Sequence, residues 1–169
     1  MATTRRPSHS QAEPPALGEY EGFVIYPMPV FARIAATDPA RTLEFFTGVL
    51  DFDVMFRGPE IGGLPTLVHV RRRRYQDVLI VPARGPVRAG DGLVVTFGAA
   101  DADDIDALAE RIRVARPSSL EGPEDTPWNT RDLTVTDPDG HRITFTAQSR
   151  NPRPGTLDEV IRGAGEAAR

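Results

Sequence analysis

Three histidines, no cysteine and no lysine limit the chemistry this chain's side chains can do. Without Cys there is no thiolate nucleophile, no disulfide and no Cys-bound metal. Without Lys, no side chain can form a Schiff base. His9 falls in a polar stretch punctuated by Pro and Gly, and His141 follows the glycine of a turn, where solvation is expected. His69 shares strand parity with Leu67 and Arg71, opposite Val68 and Val70. No Ser-His-Asp arrangement stands out. Two readings of His69 stay open: a hydrogen-bonded or exposed side chain, or a partner of Asp77 in a proton transfer that needs no cofactor. The run Arg71-Arg72-Arg73-Arg74 sits at a predicted hairpin turn and alternates sides. It is expected to be solvated or to meet a second copy, not to form a nucleic-acid patch.

The elements that must position these residues follow from hydrophobic period. Val30 to Thr37 reads as a strand, with Val30, Ala32, Ile34 and Ala36 on its packed side. Asp38-Pro39 then opens a helix over 39–50, Asp as N-cap and Pro at the first helical position. A strand at 52–57 follows, then a loop marked by Gly58-Pro59 and Gly62-Gly63. A hairpin pairs 66–72 with 75–81 and turns Val68, Val70, Val78 and Ile80 inward. After a Pro- and Gly-rich linker at 82–92 the order repeats. A strand at 93–100 leads to a helix over 104–115, capped by Asp104, with Ile105, Leu108, Ala109 and Ile112 at i, i+3, i+4, i+7 spacing. A weak strand near 119–121 precedes a second hairpin, in which Leu133 and Val135 alternate with polar residues, as do Ile143 and Phe145. Its join, Asp137-Pro138-Asp139-Gly140, has turn chemistry at each position. Thr156 is expected to cap a short terminal helix with Leu157, Val160 and Ile161 on one side.

Composition narrows the partners. Twenty basic residues, all Arg, stand against 24 acidic ones for a net charge of −4, which argues against nucleic acid or an anionic membrane as main partner. No apolar run is long enough to span a membrane, and the N-terminal Arg pair is not followed by the apolar stretch of a secretory signal. Arg in place of Lys, with abundant Ala and Gly, suggests a GC-rich bacterial source, and a cytoplasmic protein is expected. The expected organisation is a loosely ordered arm at 1–27, one domain at 28–148 with units 28–82 and 93–148, and a tail at 149–169.

Two consecutive βαβββ units, with Pro127-Trp128 through Asp137-Pro138-Asp139-Gly140 to Phe145, resemble the vicinal oxygen chelate superfamily of glyoxalases, bleomycin-resistance proteins and dioxygenases. The resemblance is closest to the bleomycin-resistance branch and is supported by Thr37 to Phe46 and Gly48 to Phe52. It implies an α+β fold in which each unit curls into a half-barrel and the pair encloses a cavity, commonly in a homodimer. The family's enzymes bind a divalent metal through His or Glu at four positions. Here these fall on Phe31, near Val94, on Thr144, and near Asp77 or Leu79. No metal and no other cofactor is therefore expected. The resemblance instead implies a cavity for a small organic ligand, with Phe31, Trp128 and Phe56 stacking on a flat molecule and Arg33, His69, Arg71 and Thr144 adding polar contacts. For each aromatic, ordinary core is the competing reading. The implied function is sequestration of an antibiotic or natural product; the alternative is an enzyme of the same fold acting on a small metabolite.

Overall fold

The computed structural model describes residues 30–89, 92–117, 119–155, 159, 162 and 163. The expected N-terminal arm lies outside them, as do Leu157, Val160 and Ile161 of the expected terminal helix. The chain divides into two compact units, residues 1–87 and 88–169.

The first unit begins with β1 (Phe31–Ala36) and α1 (Pro39–Glu44). The Asp38 carboxylate accepts from the backbone N–H of Ala40 and Arg41, and Pro39 occupies the first turn, so the helix starts as the sequence predicts. It does not run evenly to residue 50. From Phe45 to Val49 it widens into a π turn, closed by Leu50 N–H on Phe45 O. Thr47 lies in this turn and donates its hydroxyl back to Leu43 O, and Gly48 follows it; both residues loosen an α-ladder. The wider turn still buries Phe46 and Leu50, and the Phe46 ring meets Phe52 edge-on at 5.1 Å.

Three further strands complete the sheet: β2 (Asp53–Arg57), β5 (Val68–Arg71) and β6 (Asp77–Pro82) join β1 in the order β1-β6-β5-β2. Only β1 and β6 run parallel. Ile34, Val68, Val70, Val78 and Ile80 are buried on one face, as their alternation requires. Val30 was expected on that face but is exposed, because the strand starts one residue later. Between β2 and β5 the expected loop is itself a small hairpin, β3 (Glu60–Ile61) with β4 (Leu64–Pro65), which forms its own two-stranded sheet. Its tip, Gly62-Gly63, has φ of +63° and +80°, which glycine adopts without cost. Its base closes by Gly58 N–H on Leu67 O and Thr66 N–H on Pro59 O.

The second unit repeats the plan as β7 (Val94–Gly98), α2 (Ala102–Ala115), β8 (Leu120–Asp125), β9 (Thr130–Thr136) and β10 (Arg142–Gln148), in sheet order β7-β10-β9-β8. Helix α2 buries Ile105, Leu108, Ala109 and Ile112 completely, and Leu133, Val135 and Phe145 are equally buried in the sheet. Its cap is Asp101 rather than Asp104: Asp101 accepts from Asp104 N–H, and Asp104 reaches back to Ala100 N–H. The exchange resembles a capping box, in which the third helical residue satisfies a donor before the helix begins. In the β9–β10 turn, Asp137 Oδ1 accepts from the N–H of Asp139 and His141. Its Oδ2 lies 2.9 Å from His141 Nδ1, so His141 is bonded rather than simply solvated.

The half-barrel expectation does not hold. Each unit is an open four-stranded sheet, and no pairing among the described residues joins its edge strands into a barrel. A small closed barrel takes about eight strands. A four-stranded sheet buries one face under its helix and leaves the other open. Those open faces carry the candidate site residues other than Trp128.

Candidate functional site

Strand register places the first unit's open face residue by residue. One row across the sheet is Phe31, Asp77, Arg71 and Asp53; the next is Arg33, Leu79, His69 and Phe56. Five of the expected ligand-binding residues, Phe31, Arg33, Phe56, His69 and Arg71, thus share two adjacent rows. Phe31 is 46% exposed and Phe56 55% exposed, so neither ring is core. The β2 strand carries a register shift between Val54 and Phe56, which aligns Phe56 with His69.

Between the two rings lies a polar cluster. Asp77 is buried, and its Oδ1 lies 2.6 Å from His69 Nε2 and 2.7 Å from Arg71 Nε. The Arg71 guanidinium is itself buried, so this is an ion pair removed from solvent, not a surface one. Asp77 Oδ2 is buried without a hydrogen bond. The arginine run is therefore not the solvated segment its composition suggests. Arg71 holds Asp77, and Arg72, completely buried, donates its Nε–H to Leu50 O at 3.2 Å. Only Arg74 of the four is exposed, its guanidinium over the Tyr75 ring at 4.7 Å. Sequence spacing cannot reveal this, because the partners come from Leu50 and from the neighbouring strand.

A cavity of about 810 Å³ opens further along the same unit, lined by Arg33 and Ala35 of β1, Val81 of β6, Arg84, and Ile61 and Leu64 of the β3–β4 hairpin. A smaller one of about 430 Å³ lies on the other side of that hairpin, against α1, with Leu43, Arg57 and Val68 in its wall. Leu64 and Pro65 line both. The strand pairing inside this loop was not legible from its glycines.

The second unit holds the remaining two expected residues apart from each other. Thr144 sits on β10 in register with Thr96 and Thr134, its hydroxyl 2.7 Å from that of Thr134. Thr146 donates to Asp132 at 2.6 Å, so this open face is a ladder of hydroxyls. Trp128 stands 55% exposed in the β8–β9 turn. The turn is fixed by Thr126 N–H on Thr130 O and by the paired hydroxyls of those threonines. Asn129 ties it to the following segment through both polar atoms of its amide, to Arg153 N–H and O.

A second charged cluster went unnoticed in the sequence. Arg131 on β9 donates to Asp106 of α2 and to Asp125 of β8, while Arg150 pairs with Asp103 and Asp106. Partial burial pushes the Asp106 carboxyl up, but the hydrogen bonds from Arg131 and Arg150 outweigh it and hold the group below the usual Asp range. The cluster pins helix to sheet, and its i, i+3 pair Asp103–Asp106 was the available signal.

The family's metal positions can now be placed. Ile34 pairs with Ile80, and Phe97 with Phe145, at the same step of the parallel strand pair in each unit. Aligning these pairs equates Phe31 with Val94 and Leu79 with Thr144. The fourth position is therefore Leu79, not Asp77. A phenylalanine, a leucine, a valine and a threonine offer no nitrogen or carboxylate ligand. Among the described residues no group of three or more His, Asp or Glu is placed to hold a metal ion. The residues present do not fit the metal that the family's enzymes use.

Two units of one helix and one four-stranded sheet, each with a parallel outer pair, define the class of protein. The sequence model of the Glyoxalase/Bleomycin resistance protein/Dioxygenase superfamily matches residues 29–145, and the chain belongs to that superfamily. Among solved structures, TioX from Micromonospora sp. ML1 is similar at 24% identity, over 70% of this chain and 96% of that one, with a TM-score of 0.57. TnmS3, an antibiotic binding protein from Streptomyces sp. CB03234, is similar at 23% identity over 70% and 93%, with a TM-score of 0.54. Lactoylglutathione lyase from Agrobacterium tumefaciens shares 17% identity over 69% and 90%, with a TM-score of 0.53. At these identities the likeness is one of fold, and it spans binding proteins and enzymes alike. No curated protein matches the sequence.

Proposed function

We propose that the chain is a small-molecule-binding protein that sequesters an antibiotic or natural product without metal, as a homodimer in the bacterial cytoplasm. The observation that carries this reading is the first unit's open face, where Phe31 and Phe56 stand exposed on either side of the cluster of half-buried His69 with buried Asp77 and Arg71. Exposed rings flanking a few fixed polar groups suit a flat organic ligand. The residues at the family's metal positions support binding over metal-assisted turnover, and the fold likeness to TnmS3, described as an antibiotic binding protein, agrees with it. On the second unit, Trp128 and Thr144 are the corresponding candidates for ligand contact. Neither nucleic acid nor membrane is a partner in this reading. No helix among the described residues is long and apolar enough to cross a membrane.

One observation favours an enzyme instead. His69 Nε2 on a buried carboxylate at 2.6 Å is the arrangement of a fixed general base, and a proton transfer there needs no cofactor. Incubating purified protein with a panel of polycyclic natural products, while following ligand binding by fluorescence and ligand integrity by mass spectrometry, separates the two. Saturable binding with the ligand recovered intact supports sequestration. Catalytic conversion that is lost in His69→Gln would overturn it in favour of the enzyme.

A further inference from the structure

The 810 Å³ cavity beside the β3–β4 hairpin is of the size that takes a small organic molecule. Its walls are divided by chemistry. Ala35 and Val81 give a low apolar floor where β1 and β6 run side by side, and they face each other in register. Ile61, 74% exposed, and Leu64 add apolar edges from the hairpin that nothing among the described residues covers. The charged residues in the lining are Arg33 and Arg84, and no Asp or Glu is among the lining residues. Neither guanidinium makes an ion pair or a side-chain hydrogen bond among the described residues, whereas Arg71, Arg131, Arg142 and Arg150 each hold a carboxylate. In a chain of net charge −4, a concave site whose lining carries two cations and no acid is a local reversal of sign.

Register also sets where the two cations stand. Arg33 pairs with Leu79, and Arg84 follows five residues further along the chain, beyond the end of β6. At about 3.3 Å per residue for extended chain, their backbones stand at most roughly 16 Å apart along the strand direction. The apolar floor lies between them. Arg offers a planar fork of donors suited to carboxylate, phosphate or sulfonate oxygens.

We propose that this cavity selects organic anions, molecules with an apolar body lying over Ala35 and Val81 and an acidic group held by Arg33 or Arg84. The inference names a ligand class for the small-molecule-binding reading and rests on it. The acidic group supplies the charge partner that both guanidiniums lack among the described residues, and the body covers the exposed edge of Ile61 and Leu64. A neutral molecule of the same shape satisfies only the second need.

Two fluorescent probes of similar ring structure test this on the full chain. 8-Anilinonaphthalene-1-sulfonate carries the anionic group, and N-phenyl-1-naphthylamine does not. The sulfonate probe is expected to bind at least tenfold more tightly than the neutral one, and to weaken as NaCl is raised from 20 to 500 mM (about 0.02 to 0.5 M), since screening acts on the charge contact alone. Arg33→Gln and Arg84→Gln are expected to reduce sulfonate affinity several-fold each while leaving the neutral probe unchanged. Ile61→Glu, at a largely exposed position, should reduce it as well by placing a carboxylate at the rim. Circular dichroism confirms that each variant is folded. Equal affinity for both probes, unchanged by the substitutions, would overturn the anion selectivity and leave small-molecule binding standing. Binding of neither probe would overturn both for this cavity.

Discussion

Removing the Asp77 carboxylate tests how the open face is built. Asp77 Oδ1 receives Arg71 Nε–H at 2.7 Å and lies 2.6 Å from His69 Nε2, and both Asp77 and Arg71 are buried. Breaking a buried ion pair from one side costs about 3–5 kcal/mol, because the remaining charge stays desolvated. The native pair is not fully satisfied: Asp77 Oδ2 is buried without a donor, an offset of about 1–3 kcal/mol already present in the folded state. Asp77→Ala is therefore expected at the low end, about 3 kcal/mol, which is roughly 6–12 °C in Tm for a chain of this size. Replacing both charges, as in Asp77→Leu with Arg71→Met, should cost less than Asp77→Ala alone, since the buried cation is removed together with its carboxylate. Urea unfolding of the wild type, Asp77→Ala, the single variants Asp77→Leu and Arg71→Met, and the double variant, read by far-ultraviolet circular dichroism, gives the comparison. A loss below about 1 kcal/mol in Asp77→Ala, or a double variant whose loss equals the sum of its single ones, would refute the claim that this pair is a coupled buried unit.

Three further outcomes follow from other parts of the structure. Asp106 is held below the ordinary Asp range by Arg131 and Arg150, so its contribution is fully present above the unfolded-state pKa near 4 and is lost as pH falls through the lower folded value; Arg131→Met should flatten the acid limb of stability against pH, measured by thermal melts between about pH 2 and 6. Asp101→Ala should cost about 1 kcal/mol as the loss of a helix cap, with Asp104→Ala smaller, by denaturant titration. Trp128→Ala and Phe31→Ala should each weaken binding of a polycyclic ligand by roughly 1–3 kcal/mol in a calorimetric titration without unfolding the protein; full affinity in both would remove the aromatic basis of the sequestration reading.

What could be read in the sequence was whatever depends on period and local chemistry. The alternation of Val68, Val70, Val78 and Ile80 and the helical spacing of Ile105, Leu108, Ala109 and Ile112 place buried faces correctly, because burial imposes those periods. The Asp38-Pro39 start and the Asp137 turn are local, and both form as their residues require. Features that depend on a distant partner were hidden. Arg72 looked like a surface charge because Leu50 O, 22 residues earlier in the chain, receives its hydrogen bond. The fourth metal position could not be assigned between Asp77 and Leu79 until the parallel pairing of β1 with β6 fixed the register. The cap of α2 shifted to Asp101 because four Asp residues between 101 and 106 all carry capping chemistry, and composition does not choose among them. Curling was inferred from family likeness, whereas closure is a property of strand pairing, which no local pattern encodes.

The β3–β4 hairpin has one further consequence. Leu64 and Pro65 are a party wall, with about 810 Å³ on one side and about 430 Å³ on the other. The ribbon pairs with no other strand among the described residues, and a two-stranded ribbon has little stability of its own. Its foot is fixed: a β-carbon at Gly58 would stand 2.5 Å from Thr66 Oγ1, so the two arms approach closely there. A molecule that thrusts the wall outward from one side takes volume from the other. Two guests would then oppose each other through the wall without touching, and by thermodynamic reciprocity each would lower the other's affinity by the same factor.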